Sequence, residues 1–88
     1  MMKIKFTKKF KKHLEKLPEK LKHKTILTIR KFVTNPHHPG LYNHALCGSL
    51  EGVCSISVTG DIRILFEEYD GYVLVIMLDI GTHAQLYE

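Results

Sequence analysis

The stretch VCSISVTGDIRILFEEYDGYVLVIMLDI, Val53 to Ile80, decides the fold. In its first part Cys54, Ile56 and Val58 alternate with Ser55 and Ser57, the period-two pattern of a strand with one buried face. Thr59-Gly60 reads as a turn. The next segment alternates again and assigns Ile62, Ile64 and Phe66 to the core, with Asp61, Arg63, Leu65 and Glu67 on the opposite face. A second turn, YDGY, leads into YVLVIMLDI, whose nearly unbroken apolar run predicts a strand covered on both faces and central in its sheet.

Outward from this core the pattern changes. LCGSL, Leu46 to Leu50, predicts one more short strand, and PHHPGLYNHA before it has the composition of a loop. Further back the period becomes helical. Leu21, Thr25, Ile26, Ile29, Phe32 and Val33 form an apolar stripe in a helix predicted from about Glu19 to Thr34, and Asn35-Pro36 stops it. Phe6, Phe10, Leu14 and Leu17 mark an earlier helix, capped by Thr7 and ended by Pro18. KIKF, Lys3 to Phe6, alternates as a strand. The order β-α-α-β-β-β-β predicts an α+β fold: an N-terminal strand, a two-helix hairpin and a four-strand antiparallel meander packed on the helices. Residues 1–88 are expected to form a single domain.

Charge is unevenly placed. Residues 1–35 hold eleven lysines and Arg30 against Glu15 and Glu19, a balance of +10. Residues 36–88 hold one cation, Arg63, against seven acids, a balance of −6. A basic first third that includes Lys8, Lys9 and Lys12 suits a polyanionic partner, nucleic acid before membrane. No segment approaches the roughly 18 apolar residues of a membrane span. The opening MMKIKF lacks the apolar region of a signal peptide, so a cytoplasmic location is expected, with Cys47 and Cys54 as reduced thiols. The spacing of His37, His38, His44 and Cys47 matches no zinc ligand pattern, and no metal site is expected.

The chemistry-bearing residues lie around the sheet. Arg63 stands alone among acids; it suits either an ion pair with Glu51 or Glu67, or a phosphate held by its planar fork of donors. His44 precedes the sheet and His83 follows it, and histidine can give and take protons near pH 7. Two histidines, Asp61, Arg63 and Tyr87 on one sheet face would suffice to cleave RNA without a metal. A base removes the 2′-OH proton, a cation steadies the phosphorane, and an acid protonates the leaving 5′-oxygen.

HALCGSLEGVCSISVTGDIRILFEE followed by LVIMLDIGTHAQLYE resembles the YafQ-type branch of the RelE/ParE superfamily, the toxin halves of type II toxin–antitoxin pairs. The resemblance spans most of the chain and is most specific in the terminal G-T-H-x-x-L-[FY]. It implies a metal-independent, cofactor-free mRNA endonuclease that enters the aminoacyl-tRNA site of translating ribosomes and cuts the codon there. It also implies an antitoxin that wraps the toxin and blocks its site. Position by position, it carries proton-transfer roles onto His44, Asp61 and His83, base or sugar stacking onto Tyr87 or, as for tyrosines in some relatives, a part in proton transfer, and phosphate binding onto Arg63. Ser57 stands where the branch often has a histidine. A serine can hydrogen-bond phosphate but is a poor base at neutral pH, which leaves the proton work to His44, Asp61 and His83. Two rival readings share the pattern. One is a ParE-like toxin that poisons DNA gyrase; the other is a non-catalytic nucleic-acid-binding or antitoxin-binding module.

Overall fold

A computed structural model describes residues 2–87. Its elements are β1 (Lys3–Phe6), α1 (Lys8–Glu15), α2 (Glu19–Thr34), β2 (His44–Ala45), β3 (Cys54–Ser57), β4 (Ile62–Tyr69), β5 (Leu74–Thr82) and α3 (His83–Tyr87). Five strands form one sheet in the order β1-β5-β4-β3-β2. The meander is antiparallel as predicted, and β1 closes it by pairing parallel to β5, Lys3 opposite Leu74 and Phe6 opposite Met77. β5 is therefore an interior strand, while β4 takes the middle position.

The helices start where the sequence places them. The Thr7 hydroxyl accepts the Phe10 N–H at 3.0 Å, capping α1, and donates to the Leu78 carbonyl at 2.7 Å, which ties the helix start to β5. Phe10 and Phe32 from the helices meet Ile56, Ile64, Phe66, Val75, Met77 and Ile80 from the sheet, all at most 2 % exposed. Each such side chain contributes roughly 1.5–3 kcal/mol of burial.

Several details differ from the pattern. The buried line of α2 runs through Thr25, Thr28 and Phe32, whereas Ile26 and Val33, predicted as core, are 48 % and 44 % exposed. They lie a position off the contact line and form the helix flank. Thr25 and Thr28 enter the core because each hydroxyl donates to the carbonyl four residues back, at 2.7 and 2.8 Å. LCGSL is not a strand. Gly48 adopts φ 69°, the left-handed region, and Gly48–Leu50 forms a 3-10 turn, so the strand lies earlier, at His44–Ala45.

β5 carries the decisive irregularity. Its register against β4 shifts between Leu65 and Phe66: Leu65 faces Asp79 and Phe66 faces Met77, leaving Leu78 as the extra residue of a bulge. Without it, strand parity could not send Val75, Met77 and Ile80 all to the core. With it, Asp79 turns to the outer face of the sheet, in line with Leu65, Ser55 and His44. That face is not simply solvated. Leu65, predicted to face out, is 6 % exposed, because Leu50, Val53, Leu78 and Leu86 gather around it.

Candidate functional site

The 36–45 segment is held rather than loose. Leu41 is 1 % exposed and anchors it to the core. The Asn43 amide donates to the Pro36 carbonyl and to the Tyr72 hydroxyl, both at 3.0 Å. Tyr72 itself packs against Phe32, Phe66 and His37, with ring centroids 5.2–6.3 Å apart. Burial pushes its hydroxyl above the ordinary tyrosine range, against the lowering effect of the Asn43 hydrogen bond. The next residue, His44, is thereby placed on β2.

His44 is oriented by its own backbone. Its Nδ1 lies 2.8 Å from the Tyr42 carbonyl, at a residue with left-handed φ of 50°. A carbonyl only accepts, so Nδ1 carries the hydrogen and Nε2 keeps the lone pair in the neutral ring. Across the sheet, Arg63 Nη1 donates to Ser57 Oγ at 3.2 Å, to the Thr59 carbonyl at 3.1 Å and to the Gly60 carbonyl at 3.0 Å. One guanidinium nitrogen thus fixes the side chain to the turn. Arg63 joins no ion pair among the described residues, so the pairing with Glu51 or Glu67 weighed from the sequence does not occur there. Tyr42, His44, Ser57, Gly60 and Arg63 line one cavity of about 400 Å³.

The C-terminal segment is a short helix fastened at both ends. Thr82 and Gln85 cap each other: the Thr82 N–H donates to Gln85 Oε1 at 2.8 Å and the Gln85 N–H to Thr82 Oγ1 at 3.2 Å. Five residues cannot hold a helix alone. At the far end the Tyr87 hydroxyl donates to Ser55 Oγ at 3.1 Å, and the His83 and Tyr87 rings pack tilted by 47°, with centroids 4.4 Å apart. Ser55 is fully buried and is the register partner of His44. Gly81 lies within β5 opposite Arg63, not at a left-handed bend. Its missing Cβ leaves room for Gln85, whose Oε1 would lie 2.7 Å from that atom.

The predicted residues thus fall into four places. His44, Ser57 and Arg63 share the cavity. His83 and Tyr87 pack against each other on α3, tied to the same face through Ser55. Asp61 is exposed just before β4; Ile62 pairs with Thr82, so Asp61 and His83 lie one residue beyond the ladder's end. Lys8 and Lys12 are exposed on α1, while Lys9 Nζ lies 3.6 Å from Asp79 Oδ2. Tyr42, Ser55 and Gln85 were missed from the sequence, although T-x-x-Q at Thr82–Gln85 is a readable capping signal. No group of three or more His, Cys, Asp or Glu able to hold a metal occurs among the described residues. Cys47 and Cys54 are free thiols. No described helix is long and apolar enough to cross a membrane.

The geometry can be set beside known proteins. No curated protein matches the sequence. Among solved structures, the chain is similar to YafQ from Escherichia coli BL21(DE3), at 20 % identity over 100 % of both chains with a TM-score of 0.76. It is similar to a conserved hypothetical protein of Helicobacter pylori, at 26 % identity over 99 % of this chain and 100 % of that one, TM-score 0.75. A third likeness is to the toxin–antitoxin complex RelBE2 of Mycobacterium tuberculosis, at 21 % identity over 93 % and 98 %, TM-score 0.64. The family model for the ParE toxin of the type II toxin–antitoxin system parDE matches residues 4–87. With nearly the whole chain inside that match, on the strand, helical hairpin and meander described above, this protein belongs to the ParE toxin family of type II toxin–antitoxin systems.

Proposed function

We propose that this toxin is a ribosome-dependent mRNA endoribonuclease of the YafQ type, acting in the bacterial cytoplasm. The observation that carries the reading is the shared cavity of His44, Ser57 and Arg63, with the His83–Tyr87 ring pair tied to the same sheet face through Ser55. In this reading, one histidine takes the proton from the 2′-OH. The 2′-oxygen attacks phosphorus, the bond to the 5′-oxygen breaks, and a 2′,3′-cyclic phosphate and a 5′-hydroxyl result. The protonated partner histidine supplies the hydrogen to the leaving oxygen. His44 and His83 are the pair, with Asp61 supporting His83. Arg63, with one nitrogen fixed to the turn, presents its remaining N–H groups to the phosphorane oxygens; the Ser57 hydroxyl, which donates to the Thr59 carbonyl at 2.6 Å, can reach phosphate only by turning from that bond. Tyr87 stacks against a base. No step calls for a metal or organic cofactor.

Lys8, Lys9 and Lys12 belong to the +10 segment and would hold ribosomal RNA through salt-sensitive contacts. Part of the antitoxin partner is best placed between α1 and α2. Phe6, Phe10, Leu14, Ile26 and Ile29 line an apolar groove of about 330 Å³ with Lys11 and Arg30 at its rim. Such a groove suits an amphipathic segment with acidic residues at its edges.

The test is toeprinting of mRNA on ribosomes with purified toxin. A discrete cut is expected, weakened about 10²–10⁴-fold by His83→Ala or His44→Ala. An uncut message would defeat the nuclease reading. The second reading, a ParE-like gyrase inhibitor, draws on the name of the matching family. Inhibition of DNA supercoiling together with uncut mRNA would establish it. Normal growth on expression of soluble, folded toxin would leave the non-catalytic module.

A further inference from the structure

A second polar cluster lies outside the predicted site, in the cleft between α1 and α3. Asp79, placed on the outer face by the β5 bulge, has a side chain only 12 % exposed. A carboxylate so enclosed needs donors, and it has them. Asp79 Oδ1 accepts the Ile80 N–H at 2.8 Å and His13 Nδ1 at 2.6 Å, while Lys9 Nζ stands 3.6 Å from Oδ2. The carboxylate therefore sets the His13 ring with Nδ1 bearing hydrogen and Nε2 unbound, 66 residues apart in sequence. Lys16 also lines the cleft, so two lysines share it with one carboxylate. Leu17 and Leu86 give the cleft an apolar wall, and its volume is about 310 Å³. That is at the small end of the range for ligand sites.

We propose that this cleft is a second RNA subsite, in which Lys9, Lys16 and the Asp79-oriented His13 hold a phosphodiester of the strand that crosses α3. The surplus of cations over the single carboxylate leaves room for one singly charged phosphate. The position supports a strand rather than an isolated ion. Gln85 and Leu86 line the cleft, while their α3 neighbours His83 and Tyr87 form the tilted ring pair, so one short helix separates the two places. In taking the anion to be an RNA phosphate, the inference rests on the nuclease reading. Asp79 and His13 are positioning and binding residues here, with no part in the proton transfers.

The experiment is a titration of the full chain with a single-stranded oligoribonucleotide carrying 2′-O-methyl groups, which cannot be cut. NMR follows the imidazole signals of His13, His44 and His83, and affinity is measured across salt concentrations. His13 is expected to shift with the same midpoint as His83. Lys16→Glu should weaken binding severalfold and lower the salt slope by about 0.7, the share of one lost single-strand phosphate contact. Lys20→Glu, an equal charge change on exposed α2, should act less. His13→Gln should weaken binding without unfolding, as judged by the amide spectrum. Silent His13 signals, or equal effects of Lys16→Glu and Lys20→Glu, would overturn the subsite. So would an equal response to duplex DNA or to an acidic peptide. Toeprinting separates this from the nuclease reading: cleavage with a silent cleft sinks the subsite alone, and a responsive cleft without cleavage sinks the nuclease alone.

Discussion

Gly81→Ala should separate the fold from the site. The added Cβ would lie 2.7 Å from Gln85 Oε1, 3.5 Å from Gln85 Cβ and 3.6 Å from Leu86 Cδ2. The last two are ordinary contacts; the first is not. Gln85 Oε1 is the end of a flexible side chain and can swing away, so the core loses little. Swinging away, however, breaks its 2.8 Å bond from the Thr82 N–H and opens the reciprocal cap. Loss of a cap costs about 0.5–2 kcal/mol. The five-residue α3 has no helical stability of its own to absorb that. Its other polar tie, Tyr87 to Ser55, is worth about 0.5–1.5 kcal/mol. A penalty of about 1–2 kcal/mol thus lowers the docked-to-free ratio of α3 by roughly 5–30-fold. The readouts are amide exchange of Gln85–Tyr87 and the ring signals of His83 and Tyr87, with thermal unfolding alongside. Faster exchange is expected with little change in Tm. Gln85→Ala gives the control: it removes the clashing atom and the cap together, so adding Gly81→Ala to it should change little further. An equal effect of Gly81→Ala in both backgrounds would refute the clash argument.

Arg63→Lys should reduce mRNA cleavage, because a lysine cannot bind the turn and a phosphate at once; equal single-turnover rates would count against this role. Ile26→Glu, on the exposed flank of α2, should leave cleavage intact and weaken antitoxin capture at least tenfold, about 1.4 kcal/mol. Undiminished co-purification would move the antitoxin elsewhere. Burial, and then the charge of Glu68, push the Cys54 thiol above its ordinary range. The thiolate is the reactive form, so at pH 8 iodoacetamide should modify exposed Cys47 well before Cys54, with peptide mass spectrometry as the check. Raising the pH toward the Cys54 titration should narrow the difference. Tyr72→Phe removes the hydroxyl that accepts from Asn43, and should cost about 0.5–1.5 kcal/mol and broaden the His44 signals.

Much of the fold was legible because it rests on local patterns. The Thr7 cap, the stop at Asn35-Pro36 and the alternation through Cys54–Ser57 and Ile62–Phe66 each follow from adjacent residues. Less legible were features set by non-neighbours. The continuous apolar run of β5 hides its bulge, since Leu74–Leu78 reads the same in either parity. Hence neither the outward turn of Asp79 nor its meeting with His13 could be read. Leu65 alternates like a solvent-facing residue, and only the return of Leu86 and the turn at Gly48–Leu50 cover it. Among the candidate site residues, strand parity legibly put Ser57 and Arg63 together. The place of His44 depended on Asn43 reaching Tyr72, a contact 29 residues away.

The parallel pairing of β1 with β5 also has a consequence for biosynthesis. β1 leaves the ribosome before the other described strands, yet its one strand partner among the described residues follows α1, α2 and the rest of the meander. Until β5 emerges, β4 has an unpaired edge, α1 lacks the Leu78 carbonyl that anchors its cap, and α3 has no strand to continue. The nascent chain therefore lacks the assembled outer face while the ribosome is still making it. A toxin built in this order gains its proposed activity against translation only after β5 and α3 have themselves been translated.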